Sequence, residues 1–396
     1  MHYLGIDWGL DKHDICALAE DGRILSEFRI SNDWVGFQRL EQLLETLDDV
    51  QINIERQDGL IIDWLADRDV TLFVTHPSVV GIRRPRRSKD DRGDAFMLAT
   101  MLRLHDPEIR PMPRQSPTVR HLKQLAAALD DVLNEQRRLA NRLIYHLRQY
   151  YPAPLKAFGK AHSLTVQAFL AAYPTPQASQ ALSLEELDTF LREVGYTQMG
   201  RVQKIYSALQ TRYPTASVCE GHVQAVLTLG PLLQNLHHDQ YRLKKQMLPV
   251  FRSHPEADWW RSFPGAQGEL TPMRLLAWIG DDRRRFPSPD ILQAVAGTAP
   301  ITRRSGKQQR IEFRHACSHP LRSAVDDLAR HSVPKSGWAH SYYYDQLARG
   351  HSKARAYRAL GNRWLKIIWT LWQNGEYYDE EKHVANRARK GRAVIR

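Results

Sequence analysis

Cysteine is scarce, with three in 396 residues. Cys16, Cys219 and Cys317 stand far apart and lack the paired spacing of a zinc site. A disulfide scaffold and a zinc finger are therefore excluded, and isolated reduced thiols in a cytoplasmic protein are expected. Long apolar runs are missing too. None approaches the roughly 20 residues that a membrane span needs, and no signal-like apolar stretch follows Met1, so neither membrane insertion nor secretion is expected. Acids are in deficit: 44 Asp and Glu against 56 Lys and Arg leave a net charge of +12. That balance favours a polyanionic partner, nucleic acid first. Apolar residues are plentiful at 42%, so the chain is globular, with length for two or three domains that have their own cores.

The opening stretch organises the rest. Tyr3, Leu4 and Ile6 suit a buried strand, yet Asp7 follows where an apolar residue is expected. A buried carboxylate costs several kcal/mol unless it is paired or holds a metal. Runs 15–19 and 24–30 read as second and third strands around an Asp21-Gly22 turn. In ribonuclease-H-like folds, the first strand of such a meander carries the first metal ligand. An Asp that caps a turn is the plainer alternative. A helix at 34–47, a strand at 50–55 that alternates and ends in Glu55, a helix at 60–65 and a strand at 70–74 follow. Strands alternating with helices after a meander predict a mixed α/β sheet.

The densest charge cluster comes next: Arg83, Arg84, Arg86, Arg87, Lys89, Asp90, Asp91, Arg92, Gly93 and Asp94, running into a helix over 95–102. Asp91 and Asp94 share a helix face at a spacing of three, and Asp90 and Asp94 do so at four, so spacing does not choose between the pairs. Such acids can simply favour the positive end of the helix. After five basic residues they can also hold a cation while Arg and Lys grip phosphates.

Residues 107–117 carry four prolines and read as a linker. One long helix is expected over 122–150, with a near-heptad leucine stripe suited to a coiled coil, and a second over 218–251. Shorter helices lie between them, and the two long ones can pack antiparallel. This middle region shows no catalytic signature, and His162, His222, His237 and His238 lack metal-ligand spacing. The turn at 263–268 suggests a helix-hairpin-helix contact to a phosphate backbone. Ser305 stands on a loop between Arg303, Arg304 and Gly306-Lys307, well placed to meet a phosphodiester, with 311–314 as the return strand. A polar hairpin turn is the plainer reading. Helices rich in Tyr and Trp follow at 339–350 and 353–373, read as packing, and then a basic tail that is expected to be mobile and to bind polyanions.

These motifs, in this order, resemble the DEDD transposases of insertion-sequence family one-ten. Gly5-Ile6-Asp7, Ile54-Glu55 and Lys89-Asp90-Asp91-Arg92-Gly93-Asp94-Ala95 carry the first half. Phe263-Pro264-Gly265, Gly280-Asp281, Ala296-Gly297-Thr298-Ala299-Pro300 and Arg304-Ser305-Gly306-Lys307 carry the second. The resemblance selects Asp91 over Asp90, because the family's acid pair is separated by two residues and followed by Ala. It implies an α/β plus all-α chain: a RuvC-like domain at 1–106, a linker at 107–117, a helical or coiled-coil domain at 118–254, a transposase domain at 255–378 and a basic tail at 379–396. Asp7, Glu55, Asp91 and Asp94 are then implied to bind Mg²⁺ or Mn²⁺, with Ser305 as the nucleophile. Arg83, Arg84, Arg86, Arg87, Lys89, Arg303, Arg304 and Lys307 are the expected nucleic-acid contacts. The implied partners are donor and target DNA, a structured non-coding bridge RNA that reads sequence by pairing, and further copies of the chain in a dimer or tetramer. The lack of any helix-turn-helix reader agrees with recognition delegated to RNA.

Three rival readings are weighed against this one. A RuvC-like nuclease that hydrolyses DNA would need only the acids. A non-enzymatic nucleic-acid-binding protein would need neither the acids nor Ser305, and the complete acid set argues against it. A sugar-kinase or actin-like ATPase would explain Ile6-Asp7-Trp8-Gly9, but no later Gly-rich adenosine segment accompanies it.

Overall fold

The computed structural model describes residues 1–56, 59–75, 91–106, 109–214, 219–305 and 308–393, without the side chains of 91, 110, 303–305, 308–309 and 387–393. Arg83, Arg84, Arg86, Arg87, Lys89, Asp90 and Lys307 lie outside these residues. Two compact units divide the chain, Met1–Arg114 and Gln115–Arg396.

The first unit is built on a six-stranded sheet of order β3-β2-β1-β4-β5-β6. Its strands are β1 (His2–Asp7), β2 (Lys12–Leu18), β3 (Ile24–Ser31), β4 (Val50–Ile54), β5 (Thr71–Val74) and β6 (Arg110–Pro111). β1 runs antiparallel to β2 and parallel to β4, so the centre of the sheet is mixed, as the pattern predicts. Helices α1 (Trp34–Glu45) and α2 (Leu60–Ala66) and, after the charge cluster, α3 (Asp91–Arg103) complete it.

Side-chain alternation divides β1 between two cores. Leu4 and Ile6 point to one face with Ile52 and Ile54, where Phe37 and Leu40 of α1 and Ile61, Ile62 and Leu65 of α2 cover them. Tyr3 points to the other face with Cys16 and Leu18, against Ala95, Ala99 and Leu102 of α3. Both faces are buried, so the strand reads as a nearly continuous apolar run. Gly5 lets α3 lie directly on the strand. A Cβ there would stand 1.9 Å from the Ala95 carbonyl oxygen and 2.6 Å from the Ala99 nitrogen.

Among its described residues the second unit has helices and one hairpin, β7 (Ile301–Ser305) and β8 (Gln308–Glu312). Two long helices frame it, α4 (Pro117–Tyr150) and α10 (Glu220–Arg252). Between them lie α5 (Ala153–Phe158), α6 (Leu164–Ala172), α7 (Pro176–Gln180), α8 (Leu184–Glu193) and α9 (Val202–Leu209). After them come α11 (Ala257–Arg261), α12 (Leu270–Ile279), α13 (Pro289–Val295), α14 (His319–Ser332), α15 (Gly337–Ala348), α16 (Lys353–Asn374) and α17 (Glu380–Ala393). Each long helix serves two cores. Val119, Leu122 and Leu129 join Met247, Phe251 and the C-terminal helices. Leu139, Leu143 and Leu147 join Val223, Val226 and α5–α9. The start of α4 therefore meets the end of α10, and the pair is antiparallel.

Several boundaries differ from the expectation. The long helix starts at Pro117, because Ser116 caps it by accepting from the Val119 amide at 3.2 Å and proline suits the first turn. Within the stretch read as linker, β6 pairs with β5, through Phe73–Pro111 and Val74–Arg110. The tail contains α17, whose first turn holds Glu380 and Glu381. Ser336 and Tyr378 hydroxyls donate to Glu380 at 2.9 and 2.6 Å and tie that turn to the body of the unit. Among the described residues no helix is long and apolar enough to cross a membrane.

Candidate functional site

The first unit gathers acids at the ends of its central strands. β1 and β4 are parallel with Ile6 opposite Ile54. Asp7 ends β1 and Glu55 directly follows β4, so the two stand side by side one step beyond that pair. Neighbouring strands lie about 4.8 Å apart, a separation that one cation can bridge. Parity puts both on the α3 face, together with Gly5 and Asn53. Asp94 is on α3 itself, one residue before the Ala95 that touches Gly5. It is 2% exposed, an expensive place for a carboxylate without compensation. Asp91 lies one helical turn earlier, and its side chain is outside the described set.

The surroundings are polar and ordered. Asn53, fully buried, donates to the Leu98 carbonyl of α3 at 3.0 Å and accepts from Thr75 Oγ1 at 2.9 Å. These bonds fix α3 against β4 beside Glu55. Asp14 faces Asp7 across β1 and β2. Arg29 holds its carboxylate, with Nη2–Oδ2 at 2.6 Å and Nε–Oδ2 at 2.9 Å, so this neighbouring negative charge is offset locally. On the opposite face the Arg56 guanidinium sits 4.2 Å above the Trp8 ring and joins the residues that follow Asp7 and Glu55. Cys16, under α3, is no nucleophile: burial, and then the charge of Glu27, push its pKa up to about 12.

The donor set consists of carboxylate oxygens, which suit a hard divalent cation such as Mg²⁺ or Mn²⁺. Asp7 and Glu55 fit such an ion by register. Among the described residues, no three His, Cys, Asp or Glu side chains stand together at metal-holding distance. The structure thus brings Asp7 and Glu55 together and places Asp94 on the covering helix.

In the second unit Ser305 closes β7, paired with Gln308 as the last rung of the hairpin, with Arg303 opposite Arg310 and Arg304 opposite Gln309. A hairpin is present as expected, but Ser305 ends its first strand instead of lying on a loop, and the return strand runs over Gln308–Glu312 instead of 311–314, because pairing extends to Ser305–Gln308. Ser318, a second serine on the same stretch, caps α14 by accepting from the Leu321 amide at 3.4 Å. The Phe263–Ala266 part of the Gly-rich turn is buried, and Gly265 packs against Leu328 of α14. Only Gln267 and Gly268 of that turn are exposed.

Sequence reasoning missed Asn53, Thr75 and the Asp14–Arg29 pair. A signal existed for Asn53: Gln51, Asn53 and Glu55 alternate with Val50, Ile52 and Ile54, so the polar face of β4 already pointed to one side.

Comparison with known proteins agrees with the order of these sites. A family model described as Transposase, for the DEDD transposases of IS110, matches residues 4–152. A second, described as Transposase IS116/IS110/IS902 family, matches 260–344. A Streptomyces coelicolor protein named "Mini-circle putative transposase for IS117" is 31% identical, over 97% of this chain and 96% of its own length. The uncharacterized 42 kDa protein of insertion element IS900 from Mycobacterium paratuberculosis is 23% identical over 95% of this chain and 96% of its own. The uncharacterized 44.8 kDa protein of IS116 from Streptomyces clavuligerus is 23% identical over 98% of both. Two family models in the right order and similarity along nearly the whole length place this chain in the IS116/IS110/IS902 family of transposases.

Proposed function

We propose that this transposase is an RNA-guided DNA recombinase that cuts and rejoins strands through a phosphoserine. The observation that carries the reading is the register of β1 and β4, which sets Asp7 beside Glu55 on the face covered by the helix of Asp91 and Asp94. Asp7, Glu55, Asp91 and Asp94 would hold Mg²⁺ or Mn²⁺, which supplies charge neutralisation at a phosphate under attack. Ser305 Oγ attacks phosphorus. The P–O3′ bond breaks, the serine proton is taken by a base, and the departing O3′ gains a proton. A 3′ hydroxyl from another strand then attacks the phosphoserine, restores the diester and frees the serine. One bond breaks as one forms at each stage, so no nucleotide cofactor is consumed. Arg303, Arg304 and Lys307 would contact backbone near the serine. Arg83, Arg84, Arg86, Arg87 and Lys89 would do so beside the acids. A structured RNA from the element would pair with donor and target DNA, and two or four copies of the chain would form the synapse.

The test is a denaturing gel of protein incubated with its element ends and flanking RNA. Wild type should give a protein–DNA adduct that Ser305→Ala lacks. Asp7→Asn and Asp91→Asn should each lower its yield by about 100-fold or more, on the scale of a lost electrostatic stabiliser. Cleaved DNA without an adduct would instead establish hydrolysis by the acids alone. Normal recombination by Asp7→Asn and Asp91→Asn would remove the metal assignment.

A further inference from the structure

A second concentration of positive charge lies in the second unit, away from the residues used above. Arg355, Arg358, Arg363 and Lys366 of α16 line an open cleft of about 740 Å³. Its wall continues through the foot of the β7–β8 hairpin, including Phe313 and Arg314. Five basic side chains meet only two acids there, Asp290 and Glu312. Arg355, Arg363 and Lys366 are exposed, and no salt bridge joins the four α16 cations to a described residue.

Arg358, and Arg322 behind it, are held in place. The Arg358 and Arg322 guanidinium carbons lie 4.2 and 4.5 Å from the Phe313 ring centroid. Arg322 is fixed by the carbonyls of Gly297 and Arg314. Burial pulls the Arg358 pKa below its ordinary value; Asp326 opposes this, and crowding by Arg322 and Arg355 adds to it. Asn362 spends its amide oxygen on the Thr298 hydroxyl at 2.8 Å, which leaves its N–H groups for the cleft. The lining therefore combines one braced guanidinium, Arg358, with the exposed Arg355, Arg363 and Lys366, an excess of like charge that an anion would relieve.

The dimensions favour an extended polyanion. Arg355 to Lys366 covers about 16 Å of helix at 1.5 Å per residue. That is nearly five steps of one DNA strand, or about five to six phosphates, at roughly 3.4 Å per step along the duplex axis. Ile301 and Glu312 pair at the foot of the hairpin, and Ser305 pairs at its far end. Four residues of strand amount to about 13 Å, or about four base steps.

We propose that this cleft grips the sugar–phosphate backbone of the DNA strand that Ser305 cuts, about four base steps from the scissile bond. The location relative to the cut rests on the serine reading above, whereas backbone binding does not. DNA is favoured over RNA because the cleft belongs to the same hairpin as the serine.

Full-length protein would be titrated with duplex DNA carrying the element end over a range of salt, comparing wild type with a combined R355A, R363A and K366A variant. These are exposed positions, and an unchanged melting curve verifies the fold. Loss of three phosphate contacts should lower the slope of log K against log salt by about 2 to 3 and weaken binding at least about tenfold near 0.15 M salt. Replacing Arg355 and Arg363 by Lys should restore most of the slope. An unchanged DNA slope overturns the proposal, as does a loss confined to the element's RNA. An equal loss in a control variant carrying R137A, R138A and R142A on α4 also overturns it, by showing that any surface charge suffices. An adduct that survives Ser305→Ala, with the DNA slope still reduced, would remove the nucleophile reading and leave the cleft standing.

Discussion

Gly5 shows how one residue sets the geometry of the acid site. The Ala95 carbonyl lies where any Cβ would stand, and Ala95 follows Asp94. Gly5→Ala should push α3 off β1, cost about 1–3 kcal/mol as an overpacked contact and move Asp94 away from Asp7. Chemical denaturation gives the first effect, and adduct yield on element ends gives the second. Full activity with wild-type stability would mean that α3 tolerates the shift. Legibility at this scale was uneven. Asp7 stands out because it puts a carboxylate after an apolar run, and Glu55 because it ends an alternating strand. The necessity of Gly5 does not, because the atom it makes room for is 90 residues away in sequence. Arg355, Arg358, Arg363 and Lys366 carry no motif in the sequence, since only the fold reveals that the hairpin foot faces them. The Trp and Tyr of the same helices were read as packing, and Trp364 and Trp372 are fully buried.

At the level of elements, strands and helices with strong period were legible: β1 to β5, α3, α4, α10 and α16 all fall close to their expected places. The differences have separate physical causes. Pro111 belongs to an edge strand and not to a linker, because proline is tolerated where no N–H is needed from it. Pro117 also falls outside the linker, because behind Ser116 it marks a helix start. In the tail, charge alone does not reveal the anchoring of Glu380, because one of its two bonds comes from Ser336, 44 residues earlier. A buried ion pair joins α4 to α12: Arg274, 2% exposed, is bound by Asp130, which also accepts from Trp278 Nε1 at 3.0 Å. Asp130→Ala would leave that guanidinium with Asp327 alone and should cost about 3 kcal/mol. Denaturant midpoints at constant slope would register it; a loss below about 1 kcal/mol would show that Asp327 compensates.

For the whole molecule, division into Met1–Arg114 and Gln115–Arg396 predicts two calorimetric transitions, since each unit has its own cores. Magnesium at saturating concentration should raise only the transition of the first unit, because only a state that binds the ion is stabilised by it. A single transition shifted as a whole would show that the units unfold together. The antiparallel pair α4 and α10 has a practical consequence for cloning. A gene fragment stopping at codon 254 would encode both long helices without the C-terminal elements that cover Val119, Leu122, Met247 and Phe251. The polypeptide would leave the ribosome with half of a core bare, a patch that drives aggregation. Deletion series on this protein would therefore report solubility in place of function, and its parts are better assigned by point substitution in the intact chain.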